Sequence, residues 1–166
     1  MIPKAKIVTN LKELDDQFLK SRRRKDILYF SKLAVLELCG WIETSVDVMM
    51  LRLSDKKLRD AKDQVAFAAI LENTHGFHYY KHFRRVLIQA AGLVTVEKIE
   101  ARVDPLHLAH LQSEFGNLTT IRNDLAHTYM QGTQYKIDAP SVTISRFNRV
   151  YPALKNFEAV MFRVIR

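Results

Sequence analysis

The chain contains few of the residues that interrupt helices or cross-link a fold. Its 166 residues include five glycines, four prolines and one cysteine. Helices can therefore run unbroken over long stretches, and the alternation of apolar and polar residues that marks strands is scarce. The single Cys39 excludes an internal disulfide and fits a reducing compartment, so we expect a cytoplasmic protein. Its apolar neighbours, between Leu36 and Ile42, predict a buried thiol.

Long uncharged apolar runs are also missing. The most apolar stretch, residues 27–53, is interrupted by five charged side chains: Lys32, Glu37, Glu43, Asp47 and Arg52. A membrane-spanning helix needs about 20 predominantly apolar residues, so we expect no membrane span and no membrane partner. Lys4 and Lys6 near the start are followed by no apolar segment, and we therefore expect no secretory signal peptide.

Apolar spacing predicts an all-α protein, with one domain over residues 1–166 folded as an up-and-down bundle of about five helices. Helices are expected at residues 10–19, 26–53, 55–73, 77–91, 104 to the end of the 121–129 motif, and 140–166; residues 94–103 are ambiguous and could hold a short helix. Ser54 is a candidate N-cap, Gly92 a stop and Asp104-Pro105 a helix start. A bend is expected at Gly116-Asn117, and a kink or restart at Tyr151-Pro152.

Positive charge is in excess. The formal net charge is +8 and the sequence pI is about 9.7. This favours a polyanionic partner such as RNA, because lysines and arginines that neutralise phosphates release counterions. Two clusters are candidate RNA-binding sites: Arg22, Arg23 and Arg24, and Lys81, Arg84 and Arg85. The first is equally typical of a solvated junction between helices, and helix packing explains the aromatic residues that alternate with the second.

A candidate catalytic motif lies at residues 121–129, Ile-Arg-Asn-Asp-Leu-Ala-His-Thr-Tyr. Arg122 offers forked donors that match phosphate oxygens, and His127 can transfer protons near neutral pH. On one helix these two side chains diverge by about 140°. Helical geometry therefore favours a two-fold homodimer packed around this face, where the small Ala126 permits close approach. Leu118, Ile121, Leu125 and Tyr129 form a stripe that should face the core.

Arg122, Asn123 and His127 resemble the Arg-x4-His motif of the HEPN superfamily. The resemblance is strongest over residues 118–129. Residues 38–43, on the expected long helix, are more loosely similar to a corresponding helix of HEPN proteins. It implies a helical bundle that dimerises at the motif. In catalytic members it implies metal-independent endoribonuclease activity in toxin–antitoxin and antiviral defence systems. Arg122, Asn123 and His127 are accordingly the candidate catalytic residues, and neither a metal nor another cofactor is expected.

The same resemblance leaves an auxiliary role and an alternative function open. One HEPN subgroup extends its motif to Arg-x4-His-x-Tyr, in which a nucleotidyltransferase antitoxin adds AMP to the tyrosine; Tyr129 occupies that position, although a buried core tyrosine explains it as well. Glu43 could assist acid–base chemistry, but an ion pair with Arg122 is the favoured interpretation. The alternative function is a non-catalytic adaptor that dimerises or binds a nucleotide or a nucleotidyltransferase.

Three further histidines have a spacing that metal sites use: His75, His78 and His82. No cysteine joins them and His75 lies beside a helix breaker, so a metal site is not favoured. The sequence contains no Gly-rich phosphate loop and no serine nucleophile elbow, which gives nucleotide hydrolases and esterases no support.

Overall fold

The computed structural model describes residues 2–127 and 137–165, with His127 described by its backbone alone. These residues form seven α-helices and no strand, which confirms the all-α prediction but raises the helix number from about five to seven. The helices are α1 (Ala5–Lys20), α2 (Arg24–Lys57), α3 (Ala61–Glu72), α4 (Arg84–Ala91), α5 (Leu93–Glu100), α6 (Pro105–His127) and α7 (Pro140–Val164). A π-helical turn, Tyr79–Phe83, leads directly into α4.

The 34-residue helix α2 is the central element of the bundle and packs against α1, α6 and α7. Its α1 neighbour is antiparallel to it: Asn10 donates to Glu37 at 3.0 Å, and Trp41 donates to the Pro3 carbonyl at 2.7 Å. Several side chains of α2 are almost fully inaccessible, among them Leu38, Ile42, Met49 and Met50.

An aromatic cluster joins the π-helical turn to α6 and α7. Phe83 packs against Phe115 and Phe157 with ring centroids 5.8 and 5.0 Å apart, and Phe77 lies 5.6 Å from Phe115. All four rings are buried, so they supply much of the apolar area that drives folding at this end of the bundle. The cluster therefore fixes the π-helical turn against the helix that carries the candidate motif.

The predicted helix start at Asp104 and the predicted stop at Gly92 are confirmed, whereas the predicted N-cap at Ser54 is wrong. Asp104 caps α6 by accepting the His107 backbone N–H at 3.0 Å, and Gly92 ends α4 with φ 77°. Ser54 does not cap a helix. It is buried inside α2, which continues to Lys57, so packing of Ser54 in the core overrides the local preference of serine for a cap. Asp60 caps α3 instead, accepting the Lys62 N–H at 2.8 Å.

A restart at Tyr151-Pro152 is wrong, because α7 is continuous there, while the bend at Gly116-Asn117 and the kink at Tyr151-Pro152 stay predictions. α6 runs without a break through Gly116, and α7 is a single helix that contains Pro152. A proline inside a helix costs about 3 kcal/mol or more because it removes one hydrogen bond and clashes with the preceding turn. Burial on both sides of it, at Val150, Ala153 and Leu154, offsets that cost. The ambiguous segment 94–103 is resolved as α5, which ends at Glu100.

Within the described residues, no helix combines the length and the apolar character required to cross a bilayer.

Candidate functional site

Residues 121–127 of the candidate motif lie on α6. Leu118 and Leu125 are buried and Ile121 is partly buried against the core, so the predicted core-facing stripe is confirmed for these three residues. Asn123 and Ala126 are exposed on the other side. The backbone of His127 is helical. Its side chain and Tyr129, the fourth member of the stripe, lie outside the described residues, and their roles stay predictions.

Arg122 lies between two oxygen acceptors. Its Nη2 is 3.4 Å from Glu43 Oε1 on α2, and its Nη1 donates to Asn123 Oδ1 at 3.3 Å. The expected ion pair between Glu43 and Arg122 is therefore present, although the side chains are 29% and 37% exposed rather than buried. A guanidinium has five N–H donors, so these two contacts orient Arg122 and leave donors for a further oxyanion.

A pocket of about 210 Å³ opens beside Arg122. Its walls carry three carboxyl groups, from Glu43, Asp47 and Glu72, together with the backbone turn at His75. Asp47 is exposed overall, but partial burial of its carboxyl and the neighbouring Glu43 charge raise its pKa. The carboxylates repel phosphate, so a phosphate group must reach Arg122 from the solvent side of the guanidinium rather than through this pocket.

Cys39 lies one turn before Glu43 on α2 and is buried, as predicted. Its thiol is 3.8 Å from the Leu118 carbonyl of α6. Burial, and secondarily the Glu43 charge, raise the pKa of Cys39 to about 12. The thiol therefore acts as a packing group between α2 and α6 rather than as a nucleophile.

We expect Cys39 to be unreactive in the folded protein. A pKa of about 12, against 9.0 for an ordinary cysteine, lowers the thiolate fraction at neutral pH about 1000-fold, and burial slows access further. Reaction with Ellman's reagent at pH 7.5 should thus be at least about 1000-fold slower in native protein than in guanidinium chloride, because only the thiolate attacks. Equal rates in the two conditions would contradict this assignment.

The first basic cluster, Arg22 to Arg24, lies at the turn between α1 and α2. All three side chains are exposed, and Arg23 Nε is 3.7 Å from Asp26. Arg24 and Glu43 are 19 positions apart on α2, which corresponds to about 28 Å along the helix axis. The structure therefore does not bring this cluster together with the candidate motif.

The second basic cluster is divided by the structure. Arg84 is bound by Glu100, with Nε–Oε1 2.8 Å and Nη2–Oε2 3.1 Å, and this carboxylate raises the pKa of Arg84. The Tyr79 hydroxyl donates to the same carboxylate at 2.9 Å. Arg84 thus holds α4 to α5, while Lys81 and Arg85 line a separate pocket of about 580 Å³.

The π-helical turn is organised by its two histidines. His82 Nδ1 accepts the His78 backbone N–H at 3.2 Å, and His78 Nδ1 accepts that of Lys81 at 3.4 Å. Gly76 has φ 106°, and a Cβ at that position would lie 3.0 Å from the His82 ring, so a glycine is required there. Burial first, and then His78 and Lys81, lower the pKa of His82. The sequence showed a helix break at this glycine but not the ring packed on it.

In the part of the chain that the structure describes, no group of three histidine, cysteine, aspartate or glutamate side chains is arranged to hold a metal ion. His78 and His82 face each other with ring centroids 6.5 Å apart. The Nδ1 atom of each ring accepts a hydrogen bond from a backbone N–H, so both rings stabilise the π-helical turn.

Comparison with protein-family models, with curated proteins and with solved structures finds no match to this chain. The resemblance to the HEPN superfamily therefore rests on the motif residues themselves.

Proposed function

We propose that this protein is a metal-independent endoribonuclease of the HEPN type that acts as a homodimer. The observation that carries the proposal is the setting of Arg122, whose guanidinium is oriented by Glu43 and Asn123 yet remains accessible. It stands on the exposed side of α6, and His127 follows five residues later on the same helix. A fixed cation and a histidine that act on the same phosphate suit cleavage of a phosphodiester.

The proposed reaction is an internal transesterification. The ribose 2′-hydroxyl gives its proton to a general base, and its oxygen attacks the adjacent phosphorus. The bond from phosphorus to O5′ then breaks, and O5′ takes a proton from a general acid. The products are a 2′,3′-cyclic phosphate and a 5′-hydroxyl, so no water or metal enters the balance.

Three residues divide this chemistry. Arg122 stabilises the negative charge that builds up on the phosphorane oxygens. Asn123 uses its carbonyl oxygen to accept from Arg122, which leaves its amide N–H groups to orient a phosphate oxygen. His127 acts as the general base or the general acid, a role worth about 10² to 10⁴ in rate.

A second copy of the chain completes the site. Five residues of helix turn His127 about 140° away from Arg122, so one α6 alone aims them in different directions. A two-fold axis beside the exposed Asn123 and Ala126 brings both copies of each residue into one cleft. One histidine then serves as base and the other as acid. In this proposal the enzyme is a cytoplasmic toxin or antiphage effector, and a nucleotidyltransferase antitoxin would modify Tyr129.

Cleavage of RNA without a metal is the direct test. Purified protein, incubated with single-stranded RNA in excess chelator, should release fragments that end in a 2′,3′-cyclic phosphate, as seen by mass spectrometry. The 2′-deoxy oligonucleotide of the same sequence should stay intact, because it lacks the nucleophile. Light scattering of the same sample should report a dimer. Cleavage of the 2′-deoxy strand, or cleavage only after a divalent metal is added, would contradict the mechanism.

A further inference from the structure

The 580 Å³ pocket beside the π-helical turn has an unbalanced charge. It is enclosed by α3, α4 and the segment between them, and its lining is basic, polar or apolar: Ala66, Ala69, Ile70, Asn73, Thr74, His75, Lys81, His82, Arg85 and Gln89. No acidic side chain is among these residues. The pocket is thus the opposite of the one beside Arg122, which is walled by carboxyl groups.

The charges of Lys81 and Arg85 are available to a ligand. Both side chains are exposed, and within the described residues neither forms an ion pair, unlike the neighbouring Arg84. They are four residues apart on a helical segment, a spacing that places both on one face. A lysine and an arginine on one face, beside the polar Asn73 and Thr74, form a binding site for a phosphate group.

This basic pocket adjoins the candidate catalytic motif. Thr74 and His75 line both it and the pocket that contains Arg122, so one chain segment separates the two. The Glu43 charge is close enough to oppose the lowering of the His82 pKa. A polymer with a phosphate at Arg122 can therefore continue over His75 and place another phosphate at Lys81 and Arg85.

An exposed aromatic ring adds a second feature of single-stranded nucleic-acid sites. Tyr80 follows the buried Tyr79 and precedes the exposed Lys81. Its side chain is 58% exposed and packs edge-on against Tyr79, with ring centroids 5.1 Å apart. Proteins that bind single strands combine a basic groove with aromatic rings on which bases stack. Tyr80 does not line the pocket but precedes Lys81 in the chain, so a strand held at the pocket can reach its exposed ring. An exposed ring this close in the chain to cations that form no ion pair within the described residues fits an RNA strand better than a free phosphate ion.

We infer that this pocket binds a backbone phosphate of single-stranded RNA close to the phosphate that is cleaved. Lys81 and Arg85 hold the phosphate oxygens, and Tyr80 stacks on the adjacent base. The inference rests on the proposed function for its choice of ligand, although the pocket itself is defined without it. Phosphate groups also occur on free nucleotides, so the experiment separates RNA from AMP.

The test measures binding apart from cleavage. His127→Ala protein and its Lys81→Ala/Arg85→Ala derivative are titrated with a fluorescent single-stranded RNA at several salt concentrations. We expect the derivative to bind at least about tenfold more weakly, with a salt slope smaller by about 1.4, since each phosphate contact on a single strand contributes about 0.7. Tyr80→Ala should weaken binding about fivefold or more at every salt concentration.

The matched control is Lys98→Ala/Arg102→Ala, which also removes one lysine and one arginine spaced by four and exposed, but outside the pocket. It should bind RNA within about twofold of its parent, because long-range charge effects are screened. Equal loss of affinity in the two double variants overturns the inference. AMP that binds through Lys81 and Arg85, while RNA affinity is unchanged by their removal, makes the pocket a nucleotide site and also overturns it.

The two proposals can fail separately. If wild-type protein cleaves no RNA but the loss of affinity appears in the Lys81→Ala/Arg85→Ala variant, the pocket stands and the ribonuclease proposal falls. If wild-type protein cleaves RNA, and Lys81→Ala/Arg85→Ala introduced into the wild-type chain changes neither binding nor cleavage, the ribonuclease stands and the pocket falls. Thermal unfolding of each variant confirms that the substituted chain is folded.

Discussion

Replacing either His127 or Arg122 with alanine is expected to lower the rate of RNA cleavage at least about 100-fold. Removal of a general acid or base costs about 10² to 10⁴ in rate, and removal of one group that stabilises transition-state charge costs about 10² to 10³. The rate is measured under single-turnover conditions with labelled RNA, so that substrate affinity and product release do not contribute. If expression of the wild-type protein arrests cell growth, expression of either variant in its place should not.

Two controls separate catalysis from folding. His110→Ala removes another histidine of α6, seventeen residues or about 25 Å before His127, and should cleave at the wild-type rate. Arg122→Lys keeps the charge but loses the forked donors, so its rate should fall between those of the wild type and Arg122→Ala. His127→Ala with wild-type activity, or His110→Ala with an equal loss, would remove the motif from the catalytic site. A folded dimer that binds RNA without cleaving it would support the adaptor function instead.

The helices could be predicted where a local cause determines them. Asp104 and Pro105 start α6 because the aspartate side chain accepts a backbone N–H and proline fits the first turn. Ser54 offers the same kind of local signal, but it is itself buried inside α2, and the helix continues through it. The difference lies in tertiary packing, which a single sequence does not display. Tertiary packing also explains why α7 continues through Pro152, whose neighbours Val150, Ala153 and Leu154 are buried.

Tertiary packing also decides which contacts of the candidate site could be predicted from the sequence. The contact between Glu43 and Arg122 could be anticipated, since an acid partly buried on a central helix is stabilised by a cation on a neighbouring helix. It could not be anticipated that Arg84 would pair with Glu100 while Lys81 and Arg85 line a pocket. Arg84 and Arg85 are adjacent and chemically identical, and only the fold places Glu100 beside one of them. Nor does the sequence show that His75, which precedes Gly76 with its positive φ, lines both the basic pocket and the pocket beside Arg122.

Replacing Glu114 with alanine is expected to give the largest loss of stability among single ionic substitutions. Its side chain is only 7% exposed, and it joins α6 to α7 by accepting from Arg146 at 2.9 Å and from Arg149 at 2.7 Å. Breaking a buried ion pair costs about 3 to 5 kcal/mol, because the remaining charge stays desolvated without a partner. Arg149 is 41% exposed and can return to solvent, so we expect about 3 kcal/mol. For a protein of this size that lowers Tm by about 6 to 12 °C in thermal denaturation.

The control for Glu114→Ala is Asp138→Ala, which removes the other carboxylate near Arg146. Asp138 is 58% exposed and its oxygen lies 3.6 Å from Arg146, so its loss should cost less than about 1 kcal/mol. Similar Tm values for the two variants would mean that the buried carboxylate is not the main ionic link between α6 and α7. Glu114 lies on the same helix as Arg122 but eight residues before it. Below its lowered Tm, Glu114→Ala should therefore still cleave RNA, and its loss of stability would be distinct from the loss of catalysis expected for His127→Ala.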